Sequence, residues 1–570
     1  MHQVRTTLLV LAILNLSGCQ RDVVESPHIY QEMAVAADHP EASKAGLEIL
    51  LAGGNAVDAA VATSFALSVV RPYSCGIGGG GFMLIHDPSR PEESRTTALD
   101  YRERAPASVG MGYYMDPDQP RSSRDGVHAV GVPGTVAGLL YALENFGTLD
   151  REAVLAPAIR LAENGFAADA NFVAAMYGLS ARRQGQASLA EASQYLWDVV
   201  NHGGRLVEGA IITNPAQARA LRLISAEGAD AFYRGEIAEA IVAVMRKYGG
   251  PITMEDLSAY SVTSRQPLRG SFLEHDVLSM PPPSSGGLAI LQTLGILEAR
   301  LGEVGSMGFG SPGSLHFLAE ALKHAFADRA TWLGDPDFVE IPISDLMAEA
   351  YLEELSWRLS RTSTLRPDQY GTTAPPPSDS GTSHFSVLDR NGMAVACTET
   401  VNLGYGSLVV VPGFGFVLNN EMDDFTTRPG EPNAFGLRQS DLNLPEPGKR
   451  PLSSMSPTIV LRDDRVVFVG GGSGGPRIIT ATLQVLLNAL MYDMGAEDAV
   501  NAPRFHHQWL PDVLYIEQEW PGGNPADVMR QYGHRARMTD GVGVVQVIIR
   551  TERGIEAASD RRKGGEPAGR

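Results

Sequence analysis

Three cysteines in 570 residues are too few for a disulfide scaffold, and a chain of this length buries enough surface to need none. Cys75 and Cys397 read as buried thiols, and no metal or other cofactor is expected. Long apolar runs are missing too: none approaches the roughly 20 residues that span a bilayer. Dense basic blocks are also absent, since 46 Lys and Arg stand against 66 Asp and Glu for a net charge of −20. A surface that acidic repels phosphate backbones and excludes nucleic acid as a partner. No internal repeat is visible. With 44% hydrophobic and 20% charged residues, what remains is an ordinary globular composition, with room for three to four domains at about 150 residues each.

The first residues read as an address. Arg5 is followed by an apolar run from Leu8 to Leu14, too short to cross a membrane and of the length found in export signals. Leu16-Ser17-Gly18-Cys19 closes the run without an A-x-A site. The pattern resembles a bacterial lipobox, which implies removal of residues 1–18, lipidation of Cys19 and, with Gln20 next, anchoring to the outer membrane on the periplasmic side. The other reading is a plain secreted protein in which Cys19 is incidental.

Along the chain, Glu41 to Val70 reads as two helices broken at Gly53-Gly54-Asn55, the second capped by Asn55 and apolar on nearly every side, hence buried. A glycine run, Gly76 to Gly81, leads into a strand over Phe82–His86. Residues 135 to 360 read as mostly helical. Thr362 to Gly381 is rich in Pro, Ser, Thr and Asp without apolar period, an exposed loop. Short alternating segments follow, and Arg561 to Arg570 reads as disordered.

Two glycine clusters match a dinucleotide fingerprint literally. Gly76 to Gly81 fails because a strand follows where a helix is needed. Gly470 to Gly475 lies between a strand, Arg465–Val469, and a helix, Arg477–Leu490, but no further βαβ units follow. Unpaired N–H groups at a helix start can instead hold a developing oxyanion.

The best-organised polar cluster starts right after the exposed loop. Thr382 to Asp389 and Met393 to Asn402 form a hairpin about Arg390-Asn391-Gly392. A two-residue turn would mix polar and apolar side chains on both faces. A three-residue loop pairs Asp389 with Met393 and Thr382 with Thr400, and segregates them. One face then carries Thr382, His384, Ser386, Thr398, Thr400 and Asn402. The other carries Phe385, Val387, Val395, Cys397 and Val401, as a half-buried sheet requires. If the chain were cut before Thr382, the new α-amine would sit on the same residue as the hydroxyl. Such an amine titrates near pH 8 and can act as its general base. Taken alone, Thr382, Ser386 and Thr400 fit equally well as β-formers on a solvated face.

Thr382-Ser383-His384-Phe385-Ser386-Val387, Thr398-x-Thr400-Val401-Asn402 and Tyr405-Gly406 resemble the gamma-glutamyltransferase (glutathione hydrolase) family of N-terminal-nucleophile hydrolases. The resemblance runs from about residue 33 to 550. Its landmarks include Gly53 to Ala59, Leu99 to Glu103, Met280 to Gly287, Leu418 to Phe425, Lys449 to Pro457 and Gly474-Gly475. It implies an α+β fold, a four-layer αββα sandwich built jointly by a large subunit (19–381, mainly helical) and a small one (382–570), produced by cleavage between Gly381 and Thr382. Thr382 would be the nucleophile of both autocleavage and turnover, Thr400 its partner, and Gly474 and Gly475 the oxyanion donors. Arg102, Ser453 and Ser454 would take the α-carboxylate of a γ-glutamyl donor, and Asn402, Glu421 and Asp424 its α-ammonium. The partners implied are glutathione and other γ-glutamyl compounds, with water or an amino-acid or peptide acceptor.

Three positions depart from the family pattern: Met393, Cys75, and Phe435 where several members carry a lid tyrosine. Arg428 to Pro445 is long enough to be such a lid. Glu421 and Asp424 alone fit a solvated acidic turn, and Lys449-Arg450 and His506-His507 read as structural. Two other functions compete: a sister cephalosporin acylase or oxamate amidohydrolase, and an uncleaved lipoprotein that only binds γ-glutamyl peptides.

Overall fold

The computed structural model describes residues 28–371, 381–437 and 440–570. The expected signal segment and Cys19, the stretch 372–380 and lid residues 438–439 lie outside these.

Two seven-stranded sheets stack face to face. The first has the order 568–569, 34–37, 383–388, 394–400, 80–86, 96–101, 263–265, and the second 29–30, 554–559, 544–551, 465–473, 458–462, 275–279, 268–272. Helices Pro40–Leu51, Ala56–Val70 and Thr135–Phe146 pack on the outer face of the first sheet, among Phe385, Val387, Val395 and Cys397. Gly286–Glu298, Pro312–Trp332 and Arg477–Leu490 pack on the outer face of the second, among Val277, Val460 and Val547. Between the sheets lies a third core containing Phe82, Leu388, Ala394, Ile459 and Val469. This is the expected αββα sandwich, and strand alternation produces it, since successive side chains point to a helix layer and to the facing sheet.

The helix Ala56–Val70 is buried along its whole length and capped as expected, with the Asn55 side chain accepting from Val57 and Asp58 N–H while Asp58 returns a bond to Asn55. The hairpin register is also as expected: Ser383 pairs with Glu399 and Leu388 with Ala394, which sets Thr382 opposite Thr400.

Two expectations are corrected. The polar face of the hairpin is not solvated but packs against the second sheet. There His384 Nδ1 meets Thr398 Oγ1 at 2.8 Å and Nε2 meets Ser386 Oγ at 3.1 Å. A Cβ on Gly471 would stand 2.4 Å from the His384 ring, so part of the second glycine cluster exists to let the sheets approach. Residues 135–360 are mostly helical, as expected, with Thr263–Arg265 edging the first sheet and the hairpin Leu268–Phe272/His275–Ser279 edging the second. Finally, 561–570 is ordered. Ala568 and Gly569 pair with Val35 and Ala34, and Arg562 bridges Glu517 at 2.6 Å.

Candidate active site

The hairpin delivers Thr382 to the end of a central strand. Its Oγ1 donates to Thr400 Oγ1 at 3.2 Å, and that oxygen also accepts from Asn402 N–H at 2.8 Å. Thr382 Oγ1 is further hydrogen-bonded to the carbonyl oxygen of Gly381, so the hydroxyl lies against the peptide that precedes it. The backbone is unusual on both sides of that peptide. Gly381 has φ +97°, and a Cβ there would meet Asn402 O at 2.1 Å. Thr382 has φ +152°, a region that a β-branched residue rarely enters, at a cost of about 1–3 kcal/mol.

Gly474 (φ +126°) and Gly475 (φ +53°) turn the chain from strand Arg465–Ser473 into helix Arg477–Leu490. Among the described residues neither N–H has an acceptor. Both glycines border the space in front of Thr382, Gly475 from an inner pocket and Gly474 from an outer cleft.

The inner pocket gathers Arg102, Asn402, Glu421, Asp424, Phe435, Ser453 and Ser454 around Thr382 and Thr400. Arg102 leaves the end of strand Thr96–Tyr101 and is anchored by Nε on Pro451 O at 3.2 Å. Its two terminal nitrogens bond Glu421 and Asp424, the latter at 2.6 Å, and Glu103 stands 3.7 Å away. Glu421 and Asp424 are therefore buried rather than a solvated turn, and both pair with Arg102. Burial raises all three carboxyls despite the guanidinium, Glu103 to about 7 and Glu421 well above its ordinary value. Both Glu103 oxygens and Glu421 Oε2 lack a well-aligned hydrogen-bond donor, and the two carboxyls lie close enough to act on each other. With the ion pairs closed, the free volume is only about 20 Å³, room for one water. The lid segment reaches the pocket: Asn433 Nδ2 donates to Asp424 Oδ1 at 3.1 Å, and Phe435 is buried on the pocket wall.

On the opposite side of Thr382 an outer cleft of about 730 Å³ is bordered by Arg182, Arg477, Arg562 and Lys563, with Asp540 as the acidic member. Lys563 Nζ donates to the Thr382 carbonyl at 2.7 Å. Sequence reasoning missed this residue because 561–570 has no apolar period. The one signal was Gly564-Gly565: a Cβ on Gly565 would meet Ala37 O at 2.5 Å, the mark of a closely packed backbone.

A second buried charge cluster lies apart from the pocket. His316, Glu320 and His534 present ligand-type atoms within 4.8 Å of one another. Lys323 fills the place of a cation there, donating to Glu320 at 2.9 Å, to His534 Nδ1 at 3.3 Å and to Thr364 Oγ1. Because lysine only donates, His534 Nε2 carries the proton and donates to His316 Nδ1 at 2.8 Å, and His316 Nε2 donates to Ser360 O at 2.9 Å. Every ring nitrogen is thus in use, and a metal would have to break the chain of bonds. Burial alone would raise the Glu320 carboxyl, but Lys323 and hydrogen bonds from Tyr370 and Thr364 bring it below its ordinary value. Thr364 and Tyr370 belong to the stretch expected to be an exposed loop; the cluster pins them instead.

The profile described as Gamma-glutamyltranspeptidase matches residues 42–570. The glutathione hydrolase proenzyme of Escherichia coli is 40% identical, over 96% of this chain and 93% of its own length. That of Pseudomonas aeruginosa is 41% identical over 93% of each. In solved structures, the chain resembles a cephalosporin acylase from Bacillus halodurans with TM-score 0.83 at 26% identity, over 98% of this chain and 99% of that one.

Proposed function

This chain belongs to the gamma-glutamyltranspeptidase family, and from that premise we infer how its residues divide the work. It is an autoprocessing enzyme of the glutathione hydrolase type that acts on γ-glutamyl compounds and matures into two subunits. In our reading the Thr382 hydroxyl attacks the Gly381 carbonyl carbon, an ester replaces the amide, and water hydrolyses the ester. This leaves fragments 19–381 and 382–570. Cleavage also removes the strained φ of Thr382, since an N-terminal residue has none.

In turnover the freed α-amine takes the hydroxyl proton while Oγ1 attacks the γ-carbonyl of the donor. Thr400 orients the hydroxyl, and the N–H groups of Gly474 and Gly475 face the oxyanion. The amide C–N bond breaks, the amine returns its proton to the leaving nitrogen, and a γ-glutamyl ester remains on Thr382. Water or the amine of an amino acid or peptide entering by the outer cleft then takes the glutamyl group.

The observation that carries this reading is the crowding of buried carboxyls in the inner pocket: Glu103, Glu421 and Asp424 stand around the Arg102 guanidinium, Arg329 is a further cation near Asp424, and Glu103 and Glu421 keep oxygens that no basic group reaches. The α-ammonium of a γ-glutamyl donor supplies the missing cation to Glu421, Asp424 and Asn402. Its α-carboxylate competes for Arg102 beside Ser453 and Ser454. The acylase reading has the cephalosporin acylase likeness in its favour, but an acylase side chain without a zwitterion offers the pocket carboxyls no ammonium. Thr382→Ala tests the assignment on a denaturing gel: it should leave one uncut chain without γ-glutamyl-p-nitroanilide turnover, and a variant that still matures would refute it.

We further propose that residues 1–18 are removed and that Cys19 carries a lipid anchoring the enzyme to the periplasmic face of the outer membrane. No helix among the described residues is long and apolar enough to cross a membrane. Labelling with a radioactive fatty acid, lost in Cys19→Ala, would test the anchor.

A further inference from the structure

Strand pairing begins at Ser383, so Thr382 lies just outside the ladder that holds its neighbours. With the bond to Gly381 cut, two hydrogen bonds among the described residues fix it: its hydroxyl on Thr400, and its carbonyl, which accepts from Lys563 Nζ at 2.7 Å. The second contact lies on the small-subunit side of the scissile bond and survives cleavage. Lys563 is itself well held. It forms an ion pair with the fully buried Asp38 at 2.5 Å, and Arg71 Nη2 clamps its backbone carbonyl at 3.0 Å. Arg71 also grips the Asp38 carbonyl at 3.0 Å, so both partners sit on one rigid support.

Resting on the reading above, we propose that Lys563 is a positioning residue for the mature nucleophile: by holding the Thr382 carbonyl it sets the rotation that aims the α-amine and hydroxyl at the donor. A residue free to turn about its Cα–C bond would present both groups correctly only part of the time. The charge of Lys563 adds a second effect. An ammonium beside the α-amine disfavours a second positive charge there and keeps the amine in its basic, proton-accepting form. Asp38 opposes this, Arg71 behind it and Arg477 and Arg562 across the cleft reinforce it, Asp540 weakens it, and the Cys75 thiol, pushed up by burial, adds no charge.

The test uses the full chain with K563M, K563Q and K563R, after confirming that the unaltered enzyme matures and turns over γ-glutamyl-p-nitroanilide; failure at that step would refute the functional reading rather than this proposal. K563M should lower kcat about 10- to 100-fold with KM nearly constant. It should also move the acid limb of the kcat/KM profile up by about half a unit to one unit. K563Q, which keeps a donor without the charge, should recover much of kcat but not the acid limb, and K563R should recover both. A raised KM with kcat and pH profile unchanged would make Lys563 a substrate contact. K563R performing no better than K563M would also overturn the proposal. If K563M does not mature, K563Q and K563R decide, and failure of all three to fold would assign Lys563 to the fold alone.

Discussion

The inner pocket and the Lys323 cluster are built from the same materials, buried cations among buried carboxyls, yet they end in opposite states. Around Lys323 every donor finds an acceptor, and Glu320 is held as a carboxylate below its usual range. Around Arg102 three carboxyls share one guanidinium, and all three are raised. The first cluster is complete without help, as a structural contact should be. The second keeps carboxyl oxygens for which, on our proposal, the ammonium of a γ-glutamyl donor is the partner. An unsatisfied buried charge is costly, and a fold of this size retains it where a ligand relieves it.

That contrast can be broken in four places. Lys323→Met should have the largest effect. It strands Glu320 without a cation, which typically costs about 3–5 kcal/mol, and should lower the thermal midpoint by several degrees while the folded fraction keeps its KM for the donor. A midpoint unchanged in calorimetry would show the cluster to be dispensable. Arg102→Met should act on turnover as well as on the fold, lowering kcat/KM by about 2–5 kcal/mol, roughly 30- to several-thousand-fold, with autocleavage intact on a gel because no donor takes part in it.

The third test is pH. Burial lowers His384 and His506 to about 3 and His324 and His507 to about 4. These rings are neutral in the fold but protonate near 6.5 when unfolded. Their contribution is therefore full above 6.5 and is lost as pH falls, about 2 kcal/mol for each by pH 5. Glu103 in the pocket and Glu399 outside it, each raised to about 7, act in the opposite direction: their protonated forms stabilise the fold below the unfolded value, and this is lost as pH rises from there through 7. Thermal midpoints should climb from pH 5 to about 6.5, where the four histidines outweigh the carboxyls, and level off above 7. A non-hydrolysable γ-glutamyl analogue should raise the midpoint most above pH 7, where the pocket carboxyls are ionised. A rise confined to the acid side would disconnect those carboxyls from the donor.

The smallest effect is expected at the lid. Phe435 walls the pocket without a hydroxyl, so Phe435→Tyr adds at most one hydrogen bond, about 1 kcal/mol. The ratio of hydrolysis to transfer, read from product analysis, should shift by a few-fold with autocleavage intact. An unchanged ratio would remove the lid from control of the acyl-enzyme.

The hairpin was legible because its register follows from local rules: only one loop length segregates Phe385 and Val387 from His384 and Ser386. The helix Ala56–Val70 and the Gly474-Gly475 turn were legible for similar reasons, a cap at one and a strand–glycine–helix sequence at the other. Glu421 and Asp424 had meaning only through the family pattern, since nothing local distinguishes a buried acidic turn from a solvated one. Lys563 and the Lys323 cluster were illegible. Each depends on contacts hundreds of residues apart in sequence, between groups whose usual place is the surface.

The order of strands in the two sheets reaches beyond chemistry. If the cut falls between Gly381 and Thr382, each sheet is a weave of both fragments: strand 34–37 of one lies between 568–569 and 383–388 of the other, and 554–559 is flanked by 29–30. Neither fragment retains either seven-stranded sheet whole, so each lacks strands on which its helices pack. Mixing two separately produced polypeptides should therefore yield aggregates rather than enzyme. The single gene acts as an assembly jig, which holds the threads in order until the weave is finished and only then is cut away.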